Sequence, residues 1–171
     1  MNNVYLVFHL IKQLTESLIV KKRVTILMSV YNGSAYLSQA IDSIINQTFG
    51  DFEFVIYDDA STDDSYDIIR CYEDPRIVIR RNSENKGLTK NLSEGIFKSE
   101  SAYIARMDAD DIAHPDRLRR QVEYLDSHSD IDVLGTNVVF FDEKNKFIGR
   151  QPESHDEIAV YLFFGFTNQI V

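Results

Sequence analysis

The feature that most constrains the fold is a regular alternation of apolar runs with amphipathic segments, which begins at Arg23. The apolar runs have the length and composition of buried strands and lie at 24–30, 52–58, 76–81 and 102–107. The amphipathic segments have helical spacing and lie at 34–47, 61–74, 88–99 and 115–128. This order predicts an α/β domain with a doubly wound, mostly parallel sheet and helices on both faces.

The pattern divides the chain into a short extension, 1–22, and one domain, 23–171. In the extension, apolar residues recur at helical spacing without a continuous run long enough to span a bilayer. It is predicted to be an amphipathic helix that packs on the domain or on a partner, or that lies on a membrane surface. At the other end we expect a long strand at 131–141, a turn at 142–146 and a final helix at 154–164.

Charge and cysteine content exclude some classes of function. The net charge of -9 argues against a general nucleic-acid binder, which needs a basic surface, although a metal ion could still neutralise a small anionic ligand. The one cysteine, Cys71, permits neither a disulfide framework nor a cysteine-based zinc site within the chain. A reducing, cytoplasmic location is therefore expected, with membrane association left open.

Polar and acidic residues follow each predicted strand, as "YNGS", "DAST", "NSENKG" and "ADDIAHP". The carboxyl ends of parallel strands share one edge of a sheet, and ligands bind there, close to where the strand order reverses. Neither a dinucleotide fingerprint nor a P-loop motif occurs in the sequence. We therefore expect a ligand site of another kind at this edge.

Three aspartates lie within four positions at the end of the fourth strand: Asp108, Asp110 and Asp111. Asp108 and Asp110 could hold Mg²⁺ or Mn²⁺, which prefer hard oxygen ligands and often share one or two carboxylates with substrate phosphates. Alternatively, Asp111 caps the next helix, whose first position is expected at Pro115, and the other two are solvated. Spacing alone does not decide between these interpretations.

Residues at the ends of the other predicted strands can have either a structural or a ligand-binding role. Asp58 and Asp59 either form a turn, with Ser61 or Thr62 as a helix cap, or accept hydrogen bonds from a nucleobase or ribose. Tyr31 is either a half-buried turn aromatic or a platform that stacks on a base. Several cations could approach a diphosphate or be ordinary exposed charges, namely Arg80, Arg81, Lys86 and Lys90. Ser34 is the expected cap of the first helix of the domain.

Three separated segments, in this order, resemble the family 2 glycosyltransferases of the GT-A fold, from about Arg23 to the end of the chain. They are "VTILMSVYNGSAYLSQAIDSIINQTFGDFEFVIYDDASTDDS", "ENKGLTKNLSEGI" and "YIARMDADDIAHPDRL". The resemblance implies a nucleotide-sugar donor, often a UDP-sugar, a divalent metal such as Mn²⁺ or Mg²⁺, and transfer with inversion. It also implies a glycan or lipid-linked acceptor in polysaccharide or cell-envelope biosynthesis.

The resemblance also implies roles for individual residues. Ser29, Val30 and Tyr31 would meet the base, and Asp59, with Asp58 beside it, would hold it. Asn85, Lys86 and Gly87 match a loop that would lie near the donor. The segment Asp108, Ala109, Asp110 matches the DxD motif, in which Asp110 would bind the metal and Asp108 would lie near the ribose and the metal.

The chain departs from the family in one respect, because no residue in it matches the catalytic base. Family members continue into an acceptor-binding half, so we expect a fragment, or a partner or oligomer that completes the site. A non-catalytic nucleotide-sugar-binding subunit is the main alternative. An aspartyl phosphatase is a weaker one, since Ile112 stands where its DxDx[TV] motif needs Thr or Val.

Overall fold

The computed structural model describes residues 21–137, 139–141 and 147–150. Its strands are β1 Val24–Val30, β2 Phe52–Asp58, β3 Ile77–Arg81, β4 Tyr103–Asp108, β5 Val139–Phe141 and β6 Phe147–Arg150. Its helices are α1 Ser34–Ile45, α2 Ser65–Arg70, α3 Leu88–Lys98 and α4 Arg117–Ser127. The predicted helix at 154–164, the turn at 142–146 and nearly all of the 1–22 extension lie outside the described residues.

The first four strands form one parallel sheet in the order β3-β2-β1-β4. The chain first adds strands on one side of β1 and then crosses to its other side, so the order reverses between β1 and β4. Ser29 lies opposite Asp108, and Val30 lies opposite Asp58. The strands therefore end level with one another, and the predicted α/β fold with a doubly wound parallel sheet is confirmed.

Both faces of the sheet are covered, which explains the continuous apolar runs of its strands. On one face Ile26, Met28 and Val30 pack with α1, α2 and α4 in the main core. On the other face Leu27, Val55 and Tyr57 form a smaller cluster against α3. Alternation along β1 thus divides its side chains between two helical layers.

A glycine sets the close approach of α3 to the sheet. A Cβ atom at Gly95 would lie 2.6 Å from a terminal methyl carbon of Leu27, which is buried in β1. The absence of a side chain at Gly95 therefore lets α3 lie against the sheet and fixes the position of the loop that precedes the helix.

The prediction of one long strand at 131–141 was wrong. Of the described residues in this range, only Val139–Phe141 form a strand, and this strand pairs antiparallel with Phe147–Arg150 in a separate two-stranded sheet. Residues 131–137 are irregular. The sequence Gly-Thr-Asn at 135–137 explains the break, because glycine and asparagine favour turns and interrupt a strand.

Three predictions about helix starts were also wrong. Ser34 is the first residue of α1 and Gly33 is its N-cap, while the Ser34 amide donates to Asp63 from another loop. Helix α4 begins at Arg117, so Pro115 is not its first residue, and its N-cap is Asp116, which excludes the alternative in which Asp111 caps this helix. Helix α2 begins four residues late, because Ser61, Thr62 and Asp63 bond to the turn after β1.

None of the helices in the described ranges is long and apolar enough to cross a bilayer.

Candidate functional site

A cavity of about 570 Å³ opens at the carboxyl ends of β1 and β4, where the strand order reverses. This volume is within the range of small-molecule sites, about 300–1,000 Å³. Most of the predicted site residues line it, namely Ser29, Val30, Tyr31, Asp59, Asp108, Ala109 and Asp110. These predicted residues from three separate segments of the sequence therefore meet at one place.

Two predicted site residues, Asp58 and Lys86, do not line this cavity. Asp58 is fully buried, accepts a hydrogen bond from the Ser61 amide at 3.2 Å and pairs with Arg81, also at 3.2 Å. The Lys86 ammonium lies 3.7 Å from Glu94 on α3. Their contact with a nucleotide sugar stays a prediction, and both have structural partners in this geometry.

Asp59 anchors the loop that forms one wall of the cavity. Its Oδ1 atom accepts hydrogen bonds from the Lys86 amide at 2.9 Å and the Asn82 side chain at 2.7 Å, and Oδ2 accepts one from the Gly87 amide at 2.8 Å. Burial alone would raise the pKa of Asp59, but hydrogen bonds from Lys86, Asn91, Asn82 and Gly87 outweigh it and hold the pKa below its usual value. The carboxylate is therefore ionised and holds the 82–87 loop at neutral pH.

A buried amide extends this network to β1. Asn91, which is fully buried at the start of α3, accepts a hydrogen bond from Asn82 at 2.7 Å and donates one to the Ser29 hydroxyl at 2.9 Å. Ser29 lines the cavity. One continuous set of hydrogen bonds thus joins the ends of β1 and β2 to the loop before α3.

The turns after β1 and β2 are joined to each other. The Asn32 side-chain oxygen accepts from the Thr62 amide at 2.8 Å, and the Asn32 amide donates to the Ser61 hydroxyl at 3.1 Å. The next amide, that of Gly33, donates to the Ser65 hydroxyl at 2.9 Å. These bonds fix the segment that carries Tyr31, a residue that is 52% exposed and lines the cavity. An exposed ring on a fixed turn is available for stacking.

Asp108 lies in the cavity wall with a cationic neighbour. Its carboxylate is 2.6 Å from the Arg106 guanidinium, and only 14% of its side chain is exposed. Burial raises the pKa of Asp108, the charge of Asp110 raises it further, and Arg106 and Arg117 only partly offset this. Positive charge on Arg106 and Arg117 therefore favours the ionised form of this carboxylate.

A second guanidinium lies behind the aspartates. Arg117 is buried at the start of α4, donates to the Arg106 carbonyl at 2.8 Å and contacts the Met107 sulfur at 3.4 Å. Burial lowers the pKa of Arg117, while the charges of Asp111 and Asp108 act in the opposite direction. This cation favours the ionised form of the aspartates without lining the cavity.

The residues present fit a divalent cation that is shared with a ligand. The part of the chain that the structure describes contains no group of three or more His, Cys, Asp or Glu side chains placed to hold a metal. The cavity offers the carboxylates of Asp108 and Asp110. Mg²⁺ commonly takes one or two carboxylates and completes its shell with water and substrate phosphates. These two residues therefore suit a metal that arrives with a phosphorylated ligand.

Sequence reasoning missed several residues that shape the site, among them Arg106, Asn82 and Asn91. Arg106 carried a signal, because residues two apart on a strand share a face, so Arg106 had to lie beside Asp108. The two asparagines carried no such signal, since their bonds join residues distant in sequence. Asp59 lines the cavity and also holds the adjacent loop, and its contact with a base stays a prediction.

Similarity to known proteins agrees with this arrangement. The family model "Glycosyl transferase family 2" matches residues 25–169. The bifunctional glycosyltransferase pgtA of Dictyostelium discoideum is 43% identical over 124 residues, which are 69% of this chain and 16% of that protein. The O-antigen biosynthesis glycosyltransferase WbnJ of Escherichia coli is 32% identical over 154 residues, which are 86% of this chain and 59% of that protein.

Solved structures show the same fold at lower identity. S. aureus TarS 1-349 in complex with UDP-GlcNAc has a TM-score of 0.59 at 23% identity, over 63% of this chain and 32% of that one. The mannosyltransferase PcManGT from Pyrobaculum calidifontis, in complex with GDP-Man and Mn²⁺, has a TM-score of 0.57 at 21% identity, over 74% of this chain and 38% of that one. The chain spans about half or less of the length of the first curated relatives it matches. On the family match, which covers most of its length, the chain belongs to glycosyl transferase family 2.

Proposed function

We propose that this chain forms the donor-binding part of a metal-assisted, inverting glycosyltransferase that uses a nucleotide-diphosphate sugar, most simply a UDP-sugar. One observation carries the proposal: the strand-end cavity brings together the exposed aromatic ring of Tyr31 and the carboxylates of Asp108 and Asp110. These groups match the parts of such a donor, which are a base, a diphosphate and a sugar.

The known proteins support the class of donor and the setting. TarS is described in complex with UDP-GlcNAc, and PcManGT with GDP-Man and Mn²⁺. WbnJ is named for O-antigen biosynthesis. A nucleotide sugar as donor, Mn²⁺ or Mg²⁺ as metal and a glycan or lipid-linked acceptor in polysaccharide synthesis are therefore our proposals for this chain.

Each part of the site has a task in this scheme. The Tyr31 ring stacks on the base, and the 82–87 loop, held by Asp59, closes one side of the cavity. Asp110, with Asp108, holds the cation. When bound, the metal stabilises the negative charge that develops on the leaving diphosphate.

Inverting transfer also needs a base that removes a proton from the acceptor hydroxyl. Of the carboxylates in the cavity, Asp59 is occupied by the loop, and Asp108 and Asp110 are assigned to the cation. We propose that the base lies outside this set, in an acceptor-binding part or a partner. The purified chain is then expected to bind the donor and to transfer little or no sugar.

Calorimetry with UDP and Mn²⁺ tests the donor site. The wild-type chain should bind UDP in a metal-dependent way, and Asp110→Asn should weaken binding by about tenfold or more, since it removes a direct ligand. Asp111→Asn is the matched control, because it removes the same charge one residue along, outside the cavity lining. It should change the affinity by no more than about threefold. Absence of UDP binding, or equal effects of the two variants, would contradict the proposal.

A further inference from the structure

Arg106 is a cation inside the cavity that the scheme above does not use. It lies on β4 two residues before Asp108, so the two side chains share one face of the strand. The paired residues on β1 are Leu27 and Ser29, respectively. Both Arg106 and Asp108 line the cavity.

The ion pair between Arg106 and Asp108 is short and partly shielded from solvent. The guanidinium Nη2 atom lies 2.6 Å from Oδ2 of Asp108, and the two side chains are 26% and 14% exposed. Shielding from water strengthens the attraction between such charges and weakens its screening by salt. Asp108 is thus already neutralised by a cation of the chain itself.

This pair has a consequence for metal binding. A divalent cation that shares the Asp108 carboxylate is repelled by the guanidinium bound to that same carboxylate. A diphosphate in the cavity changes the balance, because guanidinium groups bind phosphate oxygens in a bidentate manner as readily as carboxylates. The diphosphate of the donor can therefore bind the Arg106 guanidinium while the metal binds the Asp108 carboxylate.

We propose that Arg106 is a positioning residue that makes metal binding depend on the nucleotide: it occupies Asp108 in the free protein and shifts to the diphosphate when the donor binds. The inference rests on the proposed function and adds to it that the metal binds well only together with the nucleotide. Without nucleotide, Mn²⁺ binds weakly. With nucleotide, the repulsion at Asp108 is relieved and the two ligands bind cooperatively.

The test is Mn²⁺ binding without nucleotide, followed by the loss of the free-ion electron paramagnetic resonance signal. Arg106→Gln should bind Mn²⁺ alone about tenfold or more tightly than the wild-type chain, a change of about 1.4 kcal/mol. The same variant should bind UDP more weakly in the presence of Mn²⁺. Arg106→Lys retains the positive charge and should stay within about threefold of the wild-type Mn²⁺ affinity.

Arg80→Gln is the matched control, because it removes an arginine charge from β3, outside the cavity lining. It should leave Mn²⁺ binding unchanged. If circular dichroism shows that Arg106→Gln is unfolded, Arg106→Met replaces it. This variant keeps an apolar side chain of similar length and should likewise bind Mn²⁺ alone more tightly than the wild-type chain.

The outcomes separate this inference from the proposed function. If wild-type protein binds UDP with Mn²⁺ but Arg106→Gln leaves the affinity for Mn²⁺ alone unchanged or lowered, the inference is wrong and the donor site stands. An equal gain in Arg80→Gln would also overturn it, because the effect would then be one of net charge. If wild-type protein does not bind UDP with Mn²⁺, the proposed function fails and the inference fails with it.

Discussion

At the scale of single residues, the turns beside the cavity carry unusual backbone conformations. Asn32 and Ala60 have φ angles of 54° and 62°, in the left-handed region. Asparagine adopts this region readily because its side chain bonds locally, as Asn32 does with Thr62. Alanine has no such compensation, so the strain at Ala60 is retained in the turn between Asp59 and Ser61.

Replacement of Ala60 by glycine should stabilise the protein. Relief of the left-handed strain, about 1–2 kcal/mol, exceeds the added flexibility of the unfolded chain, so a gain of up to about 1 kcal/mol is expected in chemical denaturation. Ala102→Gly is the control, since Ala102 is exposed and its φ is not positive. A loss of stability in Ala60→Gly would show that the turn is not strained.

Asp63 should make stability depend on pH. Burial alone would raise its pKa, but hydrogen bonds from Ser65 and Ser34 outweigh it and hold the pKa well below the usual value. Its contribution is therefore complete above the unfolded-state pKa, about 3.9, and is lost as the pH falls through the lower folded-state pKa. Asp63→Asn should be less stable by about 0.5–2 kcal/mol at pH 7.

The difference between wild type and Asp63→Asn should shrink as the pH is lowered below about 4. Thermal unfolding at several pH values measures it. Asp64→Asn, which removes the charge of the neighbouring exposed residue, should show no comparable trend. A stability difference that is independent of pH would rule out the assigned role of Asp63.

At the scale of secondary-structure elements, the sequence correctly predicted those strands whose bounds follow from a local run of apolar residues. The strands β1 and β2 have the predicted bounds, 24–30 and 52–58, because burial on both faces makes their apolar runs continuous. Helix α2 begins at Ser65 instead of residue 61, because its expected first turn bonds to Asn32, about thirty residues away in sequence, and it ends at Arg70 instead of residue 74. Contacts distant in sequence likewise hid the additional bonds of Asp59 to the loop before α3.

The contact of α3 with β1 gives a prediction at this scale. Gly95→Ala improves helix propensity by about 1 kcal/mol but forces a methyl group against Leu27, and overpacking of a filled core costs about 1–3 kcal/mol. We expect a net loss of about 1 kcal/mol in chemical denaturation. Gly50→Ala, where an added Cβ meets no heavy atom within 4 Å, should change stability by less than about 0.5 kcal/mol. A stabilised Gly95→Ala variant would contradict the assigned close packing.

At the scale of the molecule, the site is a product of topology. The sheet order places β1 between β2 and β4, so "SVYN", "YDDAST" and "ARMDADD" end at one edge although they are spread over some eighty residues. This could be predicted, because parallel strands alternating with helices have few arrangements. The break in the predicted strand at 131–141 was missed although Gly135 and Asn137 carried a signal for it, whereas the pairing of β5 with β6 in a separate sheet carried no such signal.

The most direct test of the strand-end donor site is a crystal structure of the chain soaked with UDP and Mn²⁺, with data collected for anomalous scattering from manganese. We expect UDP in the cavity at the ends of β1 and β4, with its base against Tyr31. A manganese peak should lie between its diphosphate and Asp110. UDP bound elsewhere, or manganese distant from both Asp108 and Asp110, would contradict the assignment of this cavity to a nucleotide-sugar donor.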